Sequence, residues 1–103
     1  MAKGYFTLTG TNHYYGTDFL KKGMIVELKK EPDNEFDPEA IRVVLEGVGK
    51  IGYVANSPFT IQGDSMSAGR IYDKIGNKAT GTVIHVLPKG VLCRIGKKNL
   101  KKK

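Results

Sequence analysis

The sequence predicts a mainly β domain, a small antiparallel β-barrel of about six strands with one or two short helices. Three observations carry that expectation. Short runs alternate apolar and polar side chains and are rich in Val, Ile, Thr and Tyr. Connectors bearing glycine or proline separate these runs. The 103 residues make one domain with one core, and closing its sheet into a barrel removes exposed edges. An open α+β sheet is the alternative arrangement.

Each element has a local reason. Residues 6–12 alternate and carry three threonines, which suits a strand. Gly16 and Gly23 flank a connector anchored by Phe19 and Leu20. Residues 24–30 form a second strand with Met24, Val26 and Leu28 on one face, and residues 41–46 a third with Ile41, Val43 and Leu45 inward. A glycine turn at 47–49 leads into a fourth strand, 50–55, making a meander. Asn56-Ser57-Pro58 is a helix-start signal. Residues 65–75 place Met66, Ala68, Ile71, Tyr72 and Ile75 at near-helical spacing, and Gly76 suits the helix end. Strands over 79–87 and 91–95, joined through Pro88-Lys89-Gly90, complete the set. The domain is expected to span residues 1–96, with a basic tail at 97–103.

The net charge of +7 is unevenly placed. Residues 1–88 hold ten basic and ten acidic side chains, so the whole excess lies in residues 89–103, where seven basic residues meet no acid. Such a tail draws polyanions by counterion release, and it serves equally as a solubilising end. No run of eighteen apolar residues is present, so no membrane helix is expected. The start of the chain has no apolar signal core, and Cys93 is alone, which together suggest a cytoplasmic protein. Cys93 lies in an alternating apolar run and reads as a small buried hydrophobe.

Catalytic and metal motifs are missing. Residues 33–37 superficially resemble a calcium loop, but Pro38 stands where the loop needs glycine and Val44 where it needs glutamate. His13 and His85 lie far apart, with no zinc-spaced partner. No serine sits in a nucleophile elbow, and no phosphate-binding glycine loop occurs. No cofactor is expected. The loop acids beside Lys50 leave a metal-dependent nuclease as one alternative. A protein–protein module on the same scaffold is another.

The richest segment is residues 31–43, which places five acids, two prolines and Phe36 between two strands. A hairpin needs far less. Asp33 and Asn34 suit turn initiation, and Asp37 before Pro38 suits an Asx-type or helix-capping role. Tyr14, Tyr15, Phe36 and Tyr53 all stand at strand ends or in loops. In a barrel such rings can converge on one mouth and stack on bases. If Tyr14 and Tyr15 lie in a strand, one of them must point inward.

Taken together, Gly10-x-x-His13-Tyr14-Tyr15, then Gly23, Leu28, Glu31-Pro32-x-Asn34-x-Phe36-Asp37, Ala40-Ile41-x-Val43, then Gly52-Tyr53, resemble the HIRAN domain. That family occurs at the N-terminus of SNF2-type helicases and as stand-alone bacterial proteins. The resemblance implies a modified OB-type barrel that binds single-stranded DNA and captures its free 3′ end, without catalysis of its own. Helicase and zinc chemistry in the family belongs to attached domains. By position, Tyr14 and Tyr15 look like the pair that holds the terminal nucleotides. Phe36 stands where the family often has Tyr and keeps a stacking face. Asp37 matches the aspartate that accepts a hydrogen bond from the 3′-hydroxyl. Asn34 would fix the loop, and Tyr53 lies on the neighbouring strand. His13, Lys50 and the tail lysines would meet phosphates. DNA repair or replication proteins are the expected protein partners.

Overall fold

The computed structural model describes residues 4–57, 60–61 and 65–96. Six strands form a closed barrel in the order β1-β4-β3-β2-β5-β6. In chain order they are β1 (Tyr5–Thr9), β2 (Ile25–Lys30), β3 (Ile41–Leu45), β4 (Gly49–Val54), β5 (Lys78–Leu87) and β6 (Gly90–Ile95). Every neighbouring pair is antiparallel. β1 closes the ring, pairing with β6 over Tyr5 to Leu8 and with β4 through Leu8 and Thr9. One short helix, α1 (Ala68–Tyr72), and a 3-10 turn, Thr11–His13, complete the described elements.

Alternation accounts for the core. Val26 and Leu28, Ile41 and Val43, and Val91, Cys93 and Ile95 point inward from their strands and are buried. Phe6, Leu8, Ile51 and Val83 fill the centre, and Ile71 and Ile75 add the helix side. Leu20 anchors the long β1–β2 connector, with Phe19 packed partly beside it. Burial pushes the Cys93 thiol up to about 12, so it behaves as a hydrophobe.

Four expectations shift. The first strand stops at Thr9, because Gly10 adopts φ 74° and turns the chain into the 3-10 segment. The helix expected over 65–75 shrinks to Ala68–Tyr72: Met66 bridges to Phe6, and the Ser67 hydroxyl caps the helix by accepting from the Arg70 N–H. Asp73 ends that helix in ordinary right-handed geometry, and Gly76 does not take a left-handed capping conformation. The helix-start signal at Asn56-Ser57-Pro58 yields a turn at Ser57, whose carbonyl accepts from the Thr60 and Ile61 N–H groups; Pro58 lies outside the described residues. So does the basic tail at 97–103.

Gly52 has a steric reason. A Cβ there would stand 2.5 Å from the Thr9 carbonyl oxygen and 2.7 Å from Leu8 Cδ1. β4 therefore approaches β1 at a distance only glycine permits, next to the Thr9–Tyr53 pair.

Candidate nucleic-acid interface

The β2–β3 loop is two proline-led turns placed end to end. Glu31-Pro32-Asp33-Asn34 closes with the Asn34 N–H donating to the Glu31 carbonyl at 3.0 Å. Asp37-Pro38-Glu39-Ala40 closes likewise, Ala40 N–H to Asp37 carbonyl, also at 3.0 Å. In both, proline holds the second position, where its fixed φ is already correct. The loop neck is tied by the Glu31 N–H donating to the Ala40 carbonyl at 2.9 Å. Asn34 Oδ1 accepts from the N–H groups of Phe36 (2.8 Å) and Asp37 (3.0 Å), and Asp37 Oδ1 accepts from the Glu39 N–H at 2.9 Å. Every one of these bonds is local, so the loop is ordered by its own sequence. It leaves Phe36 at the junction with its side chain 93% exposed.

That ring overlooks a groove of about 790 Å³. The 3-10 turn contributes His13 and Tyr14 to its lining, and the loop contributes Asn34, Phe36, Asp37 and Ala40. The end of β4 adds Tyr53 and Val54, and the following segment adds Asn56, Ser57 and Thr60. Asn56 is a clamp: its Nδ2 donates to Asp37 Oδ2 at 2.9 Å, while its Oδ1 accepts from the Gly69 N–H at 2.9 Å. Loop, β4 and α1 are thereby fixed to one another. Each Asp37 oxygen carries one such bond and keeps further acceptor capacity. The carboxylate is half-buried and faces the groove.

A charged network stands behind the tyrosines. Tyr53 Oη donates to Glu31 Oε1 at 2.9 Å, and Lys50 Nζ donates to Tyr53 Oη at 2.8 Å. The Glu31 carboxylate also receives Asn34 Nδ2 at 3.0 Å and lies 3.5 Å from both Lys50 Nζ and Arg42. Burial works to raise the Glu31 carboxyl, but hydrogen bonds from Asn34 and Tyr53, with the Lys50 charge, outweigh it and hold the group below its ordinary value. Lys50 is held above its usual value, chiefly by the Tyr53 hydrogen bond and then by the Glu31 charge. Desolvation, the largest cause, raises Tyr53. Lys50 Nζ also lies over two rings, 4.8 Å from the Tyr53 centroid and 5.6 Å from that of Tyr14.

Of the eight residues read from the sequence, the fold brings His13, Tyr14, Asn34, Phe36, Asp37 and Tyr53 to one groove. Lys50 backs the tyrosines. Tyr15 goes elsewhere: it is 59% exposed, packs edge-on against Phe19 at 6.4 Å, and borders a separate hollow with Gly47 and Val48. Neither Tyr14 nor Tyr15 points inward, because the chain has left the strand and strand alternation no longer applies. Sequence reasoning did not assign roles to Glu31 and Asn56. Glu31 carries a signal, since an acid at the foot of the loop faces basic residues on β3 and β4. Asn56 carries none beyond its false reading as a helix start.

The assembled chemistry is flat rings, a carboxylate with free acceptor capacity and amide groups. Among the described residues no cluster of three or more His, Cys, Asp or Glu could hold a metal ion.

The family model described as HIRAN domain matches residues 2–58. The HIRAN domain of human HLTF is similar in fold, with a TM-score of 0.58 at 16% identity, covering 92% of this chain and 77% of that one. A protein from Lactobacillus plantarum is similar with a TM-score of 0.56 at 26% identity, covering 89% of this chain and 91% of that one. No curated protein sequence matches.

Proposed function

We propose, since this chain belongs to the HIRAN domain family, that it is a non-catalytic module binding single-stranded DNA with preference for a free 3′-hydroxyl end. Nucleic-acid binding is the coarse property of the family. The observation that supports the finer reading is that Phe36, Tyr14, Tyr53 and the Asp37 carboxylate line one groove. Phe36 and Tyr14 offer exposed faces to bases, each stack being worth ~1–3 kcal/mol. Asp37 accepts a hydrogen bond from a hydroxyl, and its negative charge repels a terminal phosphate, so it distinguishes the end of a strand from an internal linkage. His13, at the groove rim, is placed for the backbone.

The test is fluorescence anisotropy with a short oligonucleotide labelled at its 5′ end and finishing in either a 3′-hydroxyl or a 3′-phosphate. The hydroxyl end should bind about tenfold or more tightly, the scale of one charge-assisted hydrogen bond plus relief of repulsion. Asp37→Asn should erase that preference while keeping generic binding. Equal affinity for the two ends in the unaltered protein removes end capture. No salt-dependent binding of any strand removes the nucleic-acid reading itself and favours a protein partner.

A further inference from the structure

We propose that Lys50 and Glu31 are positioning residues, a charged strut that fixes Tyr14 and Tyr53 from behind, rather than groups that touch nucleic acid. The role in binding rests on the groove being the nucleic-acid site; the strut itself rests on distances alone.

A lysine beside such a groove would ordinarily be assigned to a phosphate. Three observations point the other way. First, neither Lys50 nor Glu31 is among the residues lining the groove, whereas Tyr14 and Tyr53 are. Secondly, the ammonium is already engaged: it donates to Tyr53 Oη at 2.8 Å, lies 3.5 Å from Glu31 Oε2, and faces the rings of Tyr53 and Tyr14 at 4.8 and 5.6 Å. Thirdly, a phosphate that reached this ammonium would also meet the Glu31 carboxylate beside it, and like charges repel strongly at such range.

The physical role follows from these contacts. Tyr14 and Tyr53 meet at 6.5 Å with their planes tilted by 54°, and Tyr14 has no hydrogen bond among those described to fix its ring. Attraction between the Lys50 cation and both ring faces supplies that constraint. Glu31 completes it by holding the Tyr53 hydroxyl and compensating the lysine charge. Through Asn34 Nδ2 the same carboxylate reaches the residue that organises Phe36 and Asp37. One half-buried acid thus couples the wall of the groove to its loop, an arrangement that lowers the ordering needed on binding.

This makes an unusual expectation. Removing an acid near a polyanion site should strengthen binding if only charge matters. Here Glu31→Gln should weaken it. The experiment measures anisotropy of a 5′-labelled single strand with a 3′-hydroxyl across a salt series, for the unaltered protein, Lys50→Met, Lys50→Arg and Glu31→Gln. Lys50→Met should lose about tenfold in affinity at every salt concentration, the scale of one misplaced stack. Its slope of log affinity against log salt should match the unaltered protein. Lys50→Arg, which keeps the cation over the rings, should recover most of the loss. A slope reduced by about 0.7, the signature of one phosphate contact on a single strand, together with tighter binding by Glu31→Gln, overturns the proposal. A second readout uses the free protein: nuclear Overhauser contacts between the Lys50 ε-methylene and the Tyr14 and Tyr53 ring protons, lost in Lys50→Met. Their absence from the unaltered protein overturns the strut whatever binds. Their presence, with no strand bound, retains the strut and removes only the function proposed for the groove.

Discussion

Phe36→Ala separates folding from binding more cleanly than any other change. The residue is 93% exposed, so folding covers only a small part of it. Taking a phenylalanine as ~200 Å², the covered part is roughly 15 Å², worth roughly 0.4 kcal/mol. At ~4–8 °C per kcal/mol for a domain of this size, the melting temperature should fall by no more than about 3 °C. The loop should keep its shape, because its bonds run through Asn34, Asp37 and the backbone and not through the ring. Binding is a different matter. If Phe36 stacks on a base, its loss removes ~1–3 kcal/mol, a fall of roughly 5- to 150-fold in affinity for any single strand. Thermal melts and anisotropy on the same preparations measure both. A Phe36→Ala protein that binds unaltered strands as well as before refutes the stacking role. A melting temperature lowered by ten degrees or so refutes the claim that the ring is free for a ligand.

Two further predictions come from the same geometry. Gly52→Ala should destabilise the domain by ~1–3 kcal/mol and lower the melting temperature accordingly, because its Cβ would collide with the Thr9 carbonyl and Leu8; an unchanged melt refutes the steric account. The Glu31 network should impose a pH window on stability. Glu31 is depressed in the fold, so its contribution is present above its ordinary value of 4.5 and is lost as pH falls through the lower folded value. Lys50 and Tyr53 are raised, so their contributions are present below their ordinary values of 10.5 and 10.0 and are lost as pH climbs through the higher folded values. Melts across pH 3–11 should show both flanks (~4.5 and ~10 being the ordinary glutamate and tyrosine ranges), and Glu31→Gln should flatten the acid one. An acid flank of equal depth in that variant assigns the effect to other carboxylates.

Much of the loop was legible because its determinants are neighbours in the chain. Pro32 and Pro38 preset two turns, and Asn34 and Asp37 cap them through bonds spanning two or three residues. The helix was read too long because apolar spacing at 65–75 also fits a strand-like bridge at Met66 followed by a single capped turn and a half. Tyr14 and Tyr15 illustrate the opposite limit. They are adjacent in sequence and chemically alike, yet they border different hollows, since a 3-10 turn and two positive-φ glycines decide their directions.

By itself the sequence determined a single β domain, the alternating residues that fill its core, and a self-ordered acidic loop carrying an exposed ring. These follow from periodicity and turn chemistry, which act over a few residues. Only the closed barrel decided that Glu31 meets Tyr53 and Lys50, that Asn56 clamps Asp37, and that Lys50 stands behind the rings. The hydrogen bonds of Glu31 to Lys50 and Tyr53 and of Asn56 to Asp37 join residues nineteen or twenty-two positions apart, across strands whose register sets Arg42 beside Tyr53. Strand pairing and barrel closure are collective, and a linear pattern of side chains does not specify which polar groups that closure brings within hydrogen-bonding distance.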